Sequence, residues 1–383
     1  MVQGTSEDVR RLNLSTILTS LYLNGPSSRS QLSARSGRNR STVGSLVADL
    51  VALGLVDEQD PAPSGMAGRP SPIVSLRPDV AAIAVNPEID VLTISVVGLD
   101  SRIIQTIKHS YSEIPSADEA ISITAAVIQG LVSGPRRVVG VGVAVPGQVR
   151  SQDGVVTHAP HLHWIDVPFA APLSELTGLP VAVANDASLG ARAERAFGAG
   201  RGVDNLLYLN GGASGIGGGI VAGGTSLLGS HGYAGELGHV RVSDSTVRDS
   251  AGMPGTLEAL VTRAQLLETV GLGCSEADLL EERLLADRSD ATAAVVHQQL
   301  YRLGLGLANA VNLLNPELVV LGGFLATLLR YDADFLNATV HEAALGPSAA
   351  DVKLVASELG PRLLPTGAAQ LAFEPLLNDP ASY

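Results

Sequence analysis

The feature that most limits what this chain can fold into is a change in apolar spacing near residue 80. Before it, Leu14, Ile17, Leu18 and Leu21 fall at i, i+3, i+4 and i+7, one face of a helix. Gly25-Pro26 stops that helix. Ser28-Arg29-Ser30-Gln31 spells a capping box, so a second, short helix carrying Leu32 starts there. Gly37 makes a turn. A third helix follows from about Asn39, with Val43, Leu46, Val47 and Leu50 toward the core and Gly54 just past its end. Three short helices with a tight turn before the third predict a helix-turn-helix. From Ala81 on, strand-like runs alternate with helical ones, which predicts an α/β body. The expected units are 1–80 and 81–383.

Charge divides the chain in the same place. Residues 10–56 hold six arginines (10, 11, 29, 35, 38 and 40) and one acid, Asp49. The whole chain carries −13, so the remainder has an excess of eighteen negative charges. That balance argues against nonspecific nucleic-acid or membrane binding by the whole surface. A basic head on an acidic body predicts local DNA contact. Arg38, Asn39, Arg40, Ser41 and Thr42 cluster at the start of the third helix and are of types that reach base edges and phosphates. Arg29, at the start of the second helix, is a further candidate. Leu55-Val56 and Ile73 to Leu76 flank a Pro/Gly/Ser-rich loop that reads as a wing. Gly68-Arg69-Pro70 within it is either an ordinary linker turn or an extended segment placing Arg69 in a narrow A·T minor groove.

No apolar run approaches the roughly 18 residues of a membrane span. The polar start, MVQGTSEDVRRLN, lacks the apolar stretch of a signal peptide. One cysteine, Cys274, allows no intrachain disulfide and no Cys-rich metal site. The expectation is a cytoplasmic protein. With hydrophobic residues at 45% and aromatics at 3%, aliphatic side chains must fill the cores.

In the body, "VVGVGVAVPGQV" is a buried strand ending in Pro146-Gly147. "LPVAVANDASLGARAERAFGAG" is a strand running into Asn185-Asp186 and then a helix. Ligand groups often sit at such strand ends. "NLLYLNGGASGIGGGIVAGG" is a strand, a glycine turn and a strand, and Glu236-Leu237-Gly238-His239 lies downstream. "LGLGLANAVNLLNPELVVLGG" is a helix and a strand ending in Gly322-Gly323. Taken singly these are weak: a glycine hairpin can be only a turn, and a lone Glu-x-x-His can be surface.

Their order and spacing carry a resemblance to the ROK family of repressors, uncharacterised reading frames and sugar kinases. It covers nearly the whole chain. The head resembles the winged helix of the repressor branch in Ser-Arg-x-x-Leu, Ser-Thr-Val and Gly-Arg-Pro. The body resembles the two-lobed, actin-like (ribonuclease H-like) sugar-kinase fold in "VPG", "PVAVANDA", "GIGGGI", "GELGH", "TLEA", "NPELVVLGG" and "TGAA". The resemblance implies an α/β fold with a hinge near 185–200. It implies sugar ligands at Asn185, Asp186, Glu236, His239 and Glu258, and assembly as a homodimer or homotetramer.

Two departures bear on function. Kinases of the family carry Asp-x-Gly-Gly-Thr in the first hairpin, to hold ATP phosphates and metal. Those places fall on Asn86, Glu88, Ile89 and Asp90, with Pro87 between. Proline removes an amide donor, glutamate adds charge where phosphates would lie, and isoleucine blocks a close backbone approach. ATP binding and kinase activity are therefore not expected, and Asp186, the family's general base, would only bind. The family also often carries Cys-x-Cys-Gly-x-x-Gly-Cys, which binds structural zinc with the motif histidine. Here the cysteine places fall on Asp249, Ala251 and Thr256, too few ligands for a tetrahedral site, so no zinc is expected. His239 is then free for the sugar or is a structural histidine. The expected protein is a sugar-responsive transcriptional regulator, with operator DNA and a small sugar or sugar derivative as partners. An active sugar kinase with a DNA-binding head and a regulator with a vestigial sugar site are the alternatives. His161 and His163, where the family tends to have Asn and Gly, suggest altered ligand choice.

Overall fold

A computed structural model describes residues 6–59 and 71–383. In the head, α1 (Ser6–Asn24), α2 (Arg29–Ser36) and α3 (Arg40–Ala52) pack together. Strands β1 (Ser27–Ser28), β2 (Val56–Gln59) and β3 (Ile73–Leu76) form an antiparallel sheet in the order β1-β3-β2. The capping box is present: the Ser28 hydroxyl accepts from the Gln31 amide, and the Gln31 side chain accepts from the Ser28 amide at 2.8 Å. Gly37 takes φ +66°, the left-handed turn between α2 and α3. Val43, Leu46, Val47 and Leu50 are all buried, as their spacing predicts.

The first lobe follows after a three-residue joint. It contains β4 (Val80–Pro87), β5 (Val91–Gly98), β6 (Ile103–Ser110), α4 (Ala117–Val132) and β7 (Arg137–Val145). A small antiparallel sheet comes next, formed by β8 (Gln148–Arg150), β9 (Val155–Ala159) and β10 (Trp164–Pro168). The lobe closes with α5 (Ala170–Thr177) and β11 (Val181–Asn185). Its main sheet has the order β11-β7-β4-β5-β6, in which β4, β7 and β11 are parallel. Parallel pairing puts the carboxyl ends of those three strands, and so Glu88, Pro146 and Asn185-Asp186, along one edge.

Helix α6 (Asp186–Phe197) leads into the second lobe. There β12 (Leu206–Gly212), β13 (Gly215–Ala222) and β14 (Thr225–Ser226) precede the helices α7 (Leu257–Leu260), α8 (Arg263–Thr269), α9 (Leu280–Ala286) and α10 (Asp290–Leu314). Strand β15 (Leu318–Gly323), α11 (Phe324–Tyr331), α12 (Ala333–Ala343), α13 (Gly346–Ala350) and β16 (Lys353–Ala356) complete it. The sheet order is β14-β13-β12-β15-β16. Helix α14 (Leu363–Asn378) returns to cover the inner face of the first sheet.

Two features tie these parts together. The head does not hang on a free tether. Leu18, Leu21 and Tyr22 of α1 join Ala82, Ala84 and Val97 of the first sheet and Phe373 of α14 in one continuous buried cluster. Arg137 of β7 donates to the carbonyl of Leu53 in the head at 2.9 Å. The second feature is Glu194, fully buried at the end of α6. Its carboxylate accepts from the amides of Ala199 (2.8 Å), Glu358 (3.1 Å) and Leu359 (3.1 Å) and from the Ser357 hydroxyl (2.5 Å). These donors satisfy a charge that would otherwise be costly to bury, and they bind together the two places where the chain crosses between lobes.

Candidate functional site

The cleft between the lobes holds a cavity of about 180 Å³, and Asn185, Asp186, Glu236, His239 and Glu258 all line it. That volume is below the usual drug-sized range and suits one small polar molecule. No lysine or arginine lines it among the described residues, while three carboxylates do.

Each side chain is set by local structure. Asn185 ends β11 and caps α6: its Oδ1 accepts from the Ser188 amide at 2.9 Å, and its Nδ2 donates to the Gly147 carbonyl at 3.1 Å. Asp186 begins α6, and its Oδ1 accepts from the Ala187 amide at 2.8 Å and from Asn185 Nδ2 at 3.2 Å. Among the described residues no other residue donates to its Oδ2. Asp186 keeps part of its surface open to the cavity, yet burial on its other sides pushes its carboxyl up to about 7. The Ala187 amide opposes that rise, and the charges of Glu88 and Glu236 add to it. Burial also raises Glu88, with the charge of Asp90 second.

Helix α6 reaches this place because β13 is glycine-rich. A Cβ on Gly219 would sit 2.6 Å from the Ala187 carbonyl and 2.7 Å from Ala191 Cβ, so only glycine lets the helix lie so near the strand. Gly215, at φ +110°, plays a similar part for Glu258: a Cβ there would be 2.1 Å from Glu258 Oε2. That oxygen accepts from the Ile216 amide at 3.0 Å. Glu258 Oε1 accepts from the amide (3.1 Å) and hydroxyl (2.5 Å) of Ser250. Three internal donors therefore make Glu258 chiefly a brace, with about one acceptor site left for a ligand. Glu236 differs: its carboxylate makes no hydrogen bond among the described residues, and its Oε2 lies 4.0 Å from His239 Nε2.

His239 is held through one ring nitrogen. Its Nδ1 lies 2.9 Å from Asp249 Oδ2, and Asp249 has no exposed side-chain area. Burial would raise the Asp249 carboxyl, but bonds from His239, the Met253 amide and Thr256 outweigh it and hold it below the usual range. The residues present do not fit a tetrahedral zinc. Both Asp249 oxygens already accept from N–H and O–H donors, and Ala251 and Thr256 stand at the other two places.

The sequence reading missed several walls of the cavity. Gln148 and His158 come from the small β8–β9 pair, Asn210 from β12, Ser214 from the turn that follows it, and Ser250 from the loop before α7. Short polar strands and turns of this kind leave no periodic signal. His161, flagged for its departure from the family, does line the cavity, and its Nε2 is buried with no hydrogen-bond partner among the described residues. His163 is exposed at φ +57° and does not line it.

At the first hairpin, Pro87 has no amide hydrogen and the Glu88 amide donates to the Val91 carbonyl at 2.9 Å. Asn86 Nδ2 donates to the Ala144 carbonyl at 3.1 Å. An aspartate there would face a carbonyl with nothing to donate.

On the head, Arg38, Asn39, Arg40 and Ser41 are exposed and Thr42 is half-buried. Asn39 is the cap of α3, and its Oδ1 accepts from the Thr42 amide and the Ser41 hydroxyl, both at 2.8 Å. Arg29 is bidentate to Glu58 on β2 at 2.5 Å, so it anchors α2 to the sheet. Arg38 and Arg40 have no ion-pair partner among the described residues. Arg69 lies outside the described residues.

A helix-turn-helix head packed on an actin-like, two-lobed body with an acidic cleft defines the class: a DNA-binding-type head built on a sugar-kinase fold. The chain belongs to the ROK family, whose profile matches residues 88–374. It is 27% identical to the xylose repressor of Bacillus subtilis (strain 168), over 82% of this chain and 82% of that protein. Among solved structures it is similar to a ROK family transcriptional regulator, a homolog of the E. coli MLC protein. The TM-score is 0.79 and the identity 25%, over 97% of both chains. A ROK family glucokinase from Streptomyces griseus, in complex with glucose and AMPPNP, is similar to the body. There the TM-score is 0.64 and the identity 26%, over 77% of this chain and 99% of that one. Among the described residues no helix is long and apolar enough to cross a membrane.

Proposed function

We propose that this protein is a sugar-responsive transcriptional repressor. Residues 1–80 bind operator DNA, and residues 81–383 bind the effector and carry the contacts of a homodimer or homotetramer. The observation that supports this best is helix α6. It begins at Asp186 in the cavity and ends at Phe197, whose ring meets Tyr22 of head helix α1 edge-on at 5.3 Å. Tyr22 also meets Phe373 of α14 at 5.9 Å. Twelve residues of helix, about 18 Å, thus join the effector cavity to the DNA-binding unit. A sugar that binds one lobe arrangement better than the other shifts the population of both, and with it the spacing of two heads on their half-sites. Three carboxylates line the cavity and, among the described residues, no lysine or arginine does, so the effector is a neutral polyol rather than a sugar phosphate.

The test is operator affinity with and without D-xylose or D-glucose. Phe197→Ala should keep sugar binding and lose most of the sugar's effect on DNA. Arg40→Ala should weaken specific operator binding by about 1–3 kcal/mol if it reads a base. If residues 81–383 alone shift the operator fragment, the assignment of the head is wrong.

One observation favours a second reading, an active sugar kinase. A carboxyl held near 7 is suited to general-base work. Against it stands the first hairpin, where Pro87 has no amide hydrogen, the Glu88 amide is already bonded to Val91, and no glycine follows. A coupled assay with Mg-ATP over hexoses and pentoses should stay at background. Turnover abolished by Asp186→Asn would establish the kinase.

A further inference from the structure

The buried carboxylate of Asp249 joins His239 to the loop that carries Ala251 and Met253. Its Oδ2 faces His239 Nδ1 at 2.9 Å and accepts from the Thr256 hydroxyl at 2.8 Å. Its Oδ1 accepts from the amides of Ala251 at 3.0 Å and Met253 at 2.8 Å. Its own amide donates to the Met253 carbonyl at 3.0 Å, and the Gly255 amide closes the loop on the Val247 carbonyl at 2.9 Å. One side chain therefore holds the loop that supplies Ser250, Ala251 and Met253 to the cavity, and the same side chain fixes a ring that lines it.

The hydrogen bond to His239 has only one sense. An ionised carboxylate is acceptor-only, so the proton between the pair belongs to Nδ1. In the neutral ring the other nitrogen, Nε2, is then an acceptor. Glu236 Oε2 stands 4.0 Å from that nitrogen and is also an acceptor. A ligand at this wall must bring donors to both.

We infer that Asp249 is the positioning residue of the effector site: it locks His239 as the Nδ1–H tautomer, so that Nε2 and Glu236 together select a ligand with two neighbouring hydroxyl donors. A carboxylate, two amides and a threonine hydroxyl do at this junction what a bound structural cation would otherwise do. The inference rests on the proposal that the cavity takes a sugar, but its first test does not.

The first test is long-range ¹H–¹⁵N correlation spectroscopy of histidine-labelled, sugar-free full-length protein at pH 8, with His239→Gln to assign the signals. The wild type should show an Nδ1–H, Nε2-acceptor ring. Asp249→Asn, which can offer either a donor or an acceptor, should show a mixture of tautomers or the reverse one. An Nε2–H tautomer in the wild type overturns the proposal, as does stoichiometric zinc bound through His239 in the purified protein.

The second test is calorimetric titration with D-xylose and D-glucose. Asp249→Asn should weaken whichever sugar the wild type binds by tenfold or more, while Thr256→Val, which leaves the His239–Asp249 pair, should cost less than threefold. Equal losses in the two variants would mean that loop integrity alone sets affinity, and the proposal falls. The 2- and 3-deoxy and O-methyl analogues extend the test. At least one should lose binding to the wild type and lose little further in His239→Gln, and if none does, the proposed pairing of donors is wrong. Failure of the wild type to bind any sugar removes the reading of the cavity and leaves the tautomer result to decide the role of Asp249.

Discussion

Each lobe opens with an antiparallel hairpin facing the cleft, and the two have been built very differently. In the second lobe, β12 and β13 are joined through Ala213-Ser214, with glycine in the flanking strand ends at 211, 212 and 215 and on into β13. In the first, β4 and β5 are joined through Glu88, Ile89 and Asp90, with no glycine at all. The pairing is equally regular in both, so glycine is not needed to make a hairpin here. It is needed where something must approach the backbone. In the second lobe that something is helix α6 and the Glu258 brace, both of which a Cβ would strike. In the first lobe the tip of the turn, Ile89 and Asp90, is exposed. The conformational freedom of glycine is found where a close contact within the protein requires it.

The sharpest way to break this comparison is to exchange the two treatments. Gly219→Val should destabilise the protein by on the order of 3 kcal/mol, because the neighbours at 2.6–2.7 Å include the α6 backbone and cannot give way. Thermal or urea melts would read it. Ile89→Gly in the other hairpin should change stability by less than about 1 kcal/mol. A comparable loss from both would show that the two turns are alike after all.

Next in size is Asp186→Ala, which should lower sugar affinity by about 1–3 kcal/mol through unpaired hydroxyls in the closed cavity. Operator affinity without sugar should stay within twofold. An unchanged sugar response would place the effector elsewhere.

A third outcome follows from the raised carboxyl of Asp186. Its folded value of about 7 lies above the ordinary 3.8, so the folded state holds an extra proton between those values. That contribution to stability is present at low pH and is lost as the pH rises through about 4 to 7. Asp186→Asn should flatten this part of the stability–pH profile. An identical slope in the variant would mean that Asp186 titrates normally.

The smallest effect belongs to Glu88. Glu88→Gln removes one of the charges that raise Asp186, so the midpoint of the Asp186 titration should move down. Carboxyl ¹³C shifts would detect it. No movement would place Glu88 too far from the cavity to matter.

Much of the head was legible in the sequence because its signals are local. The capping box at Ser28, the turn at Gly37 and the buried face of α3 each depend on residues within one or two helical turns. The five cavity residues were legible in another way, through motifs in order, and the sequence treated them as equals. The structure separates them. Glu236 and Asp186 keep acceptors open to the cavity, Asn185 and Glu258 are largely occupied in holding α6 and the loop before α7, and His239 is oriented by a residue ten positions away. Arg29 changes place for the same reason: its partner Glu58 is 29 residues distant and on another element.

The sequence by itself determined the two periods and where they change, the helix caps, the strand ends that carry Asn185 and Asp186, and the lack of glycine at Glu88-Ile89. These follow from steric and hydrogen-bonding rules that act over a few residues. Only the tertiary structure decided that α1 shares a core with the first sheet and α14, that α6 runs from the cavity to Tyr22, and that Asp249 lies buried against His239. Burial and proximity are properties of chain segments brought together from far apart. They set which carboxylates are open, braced or raised, and no local pattern of residues encodes them.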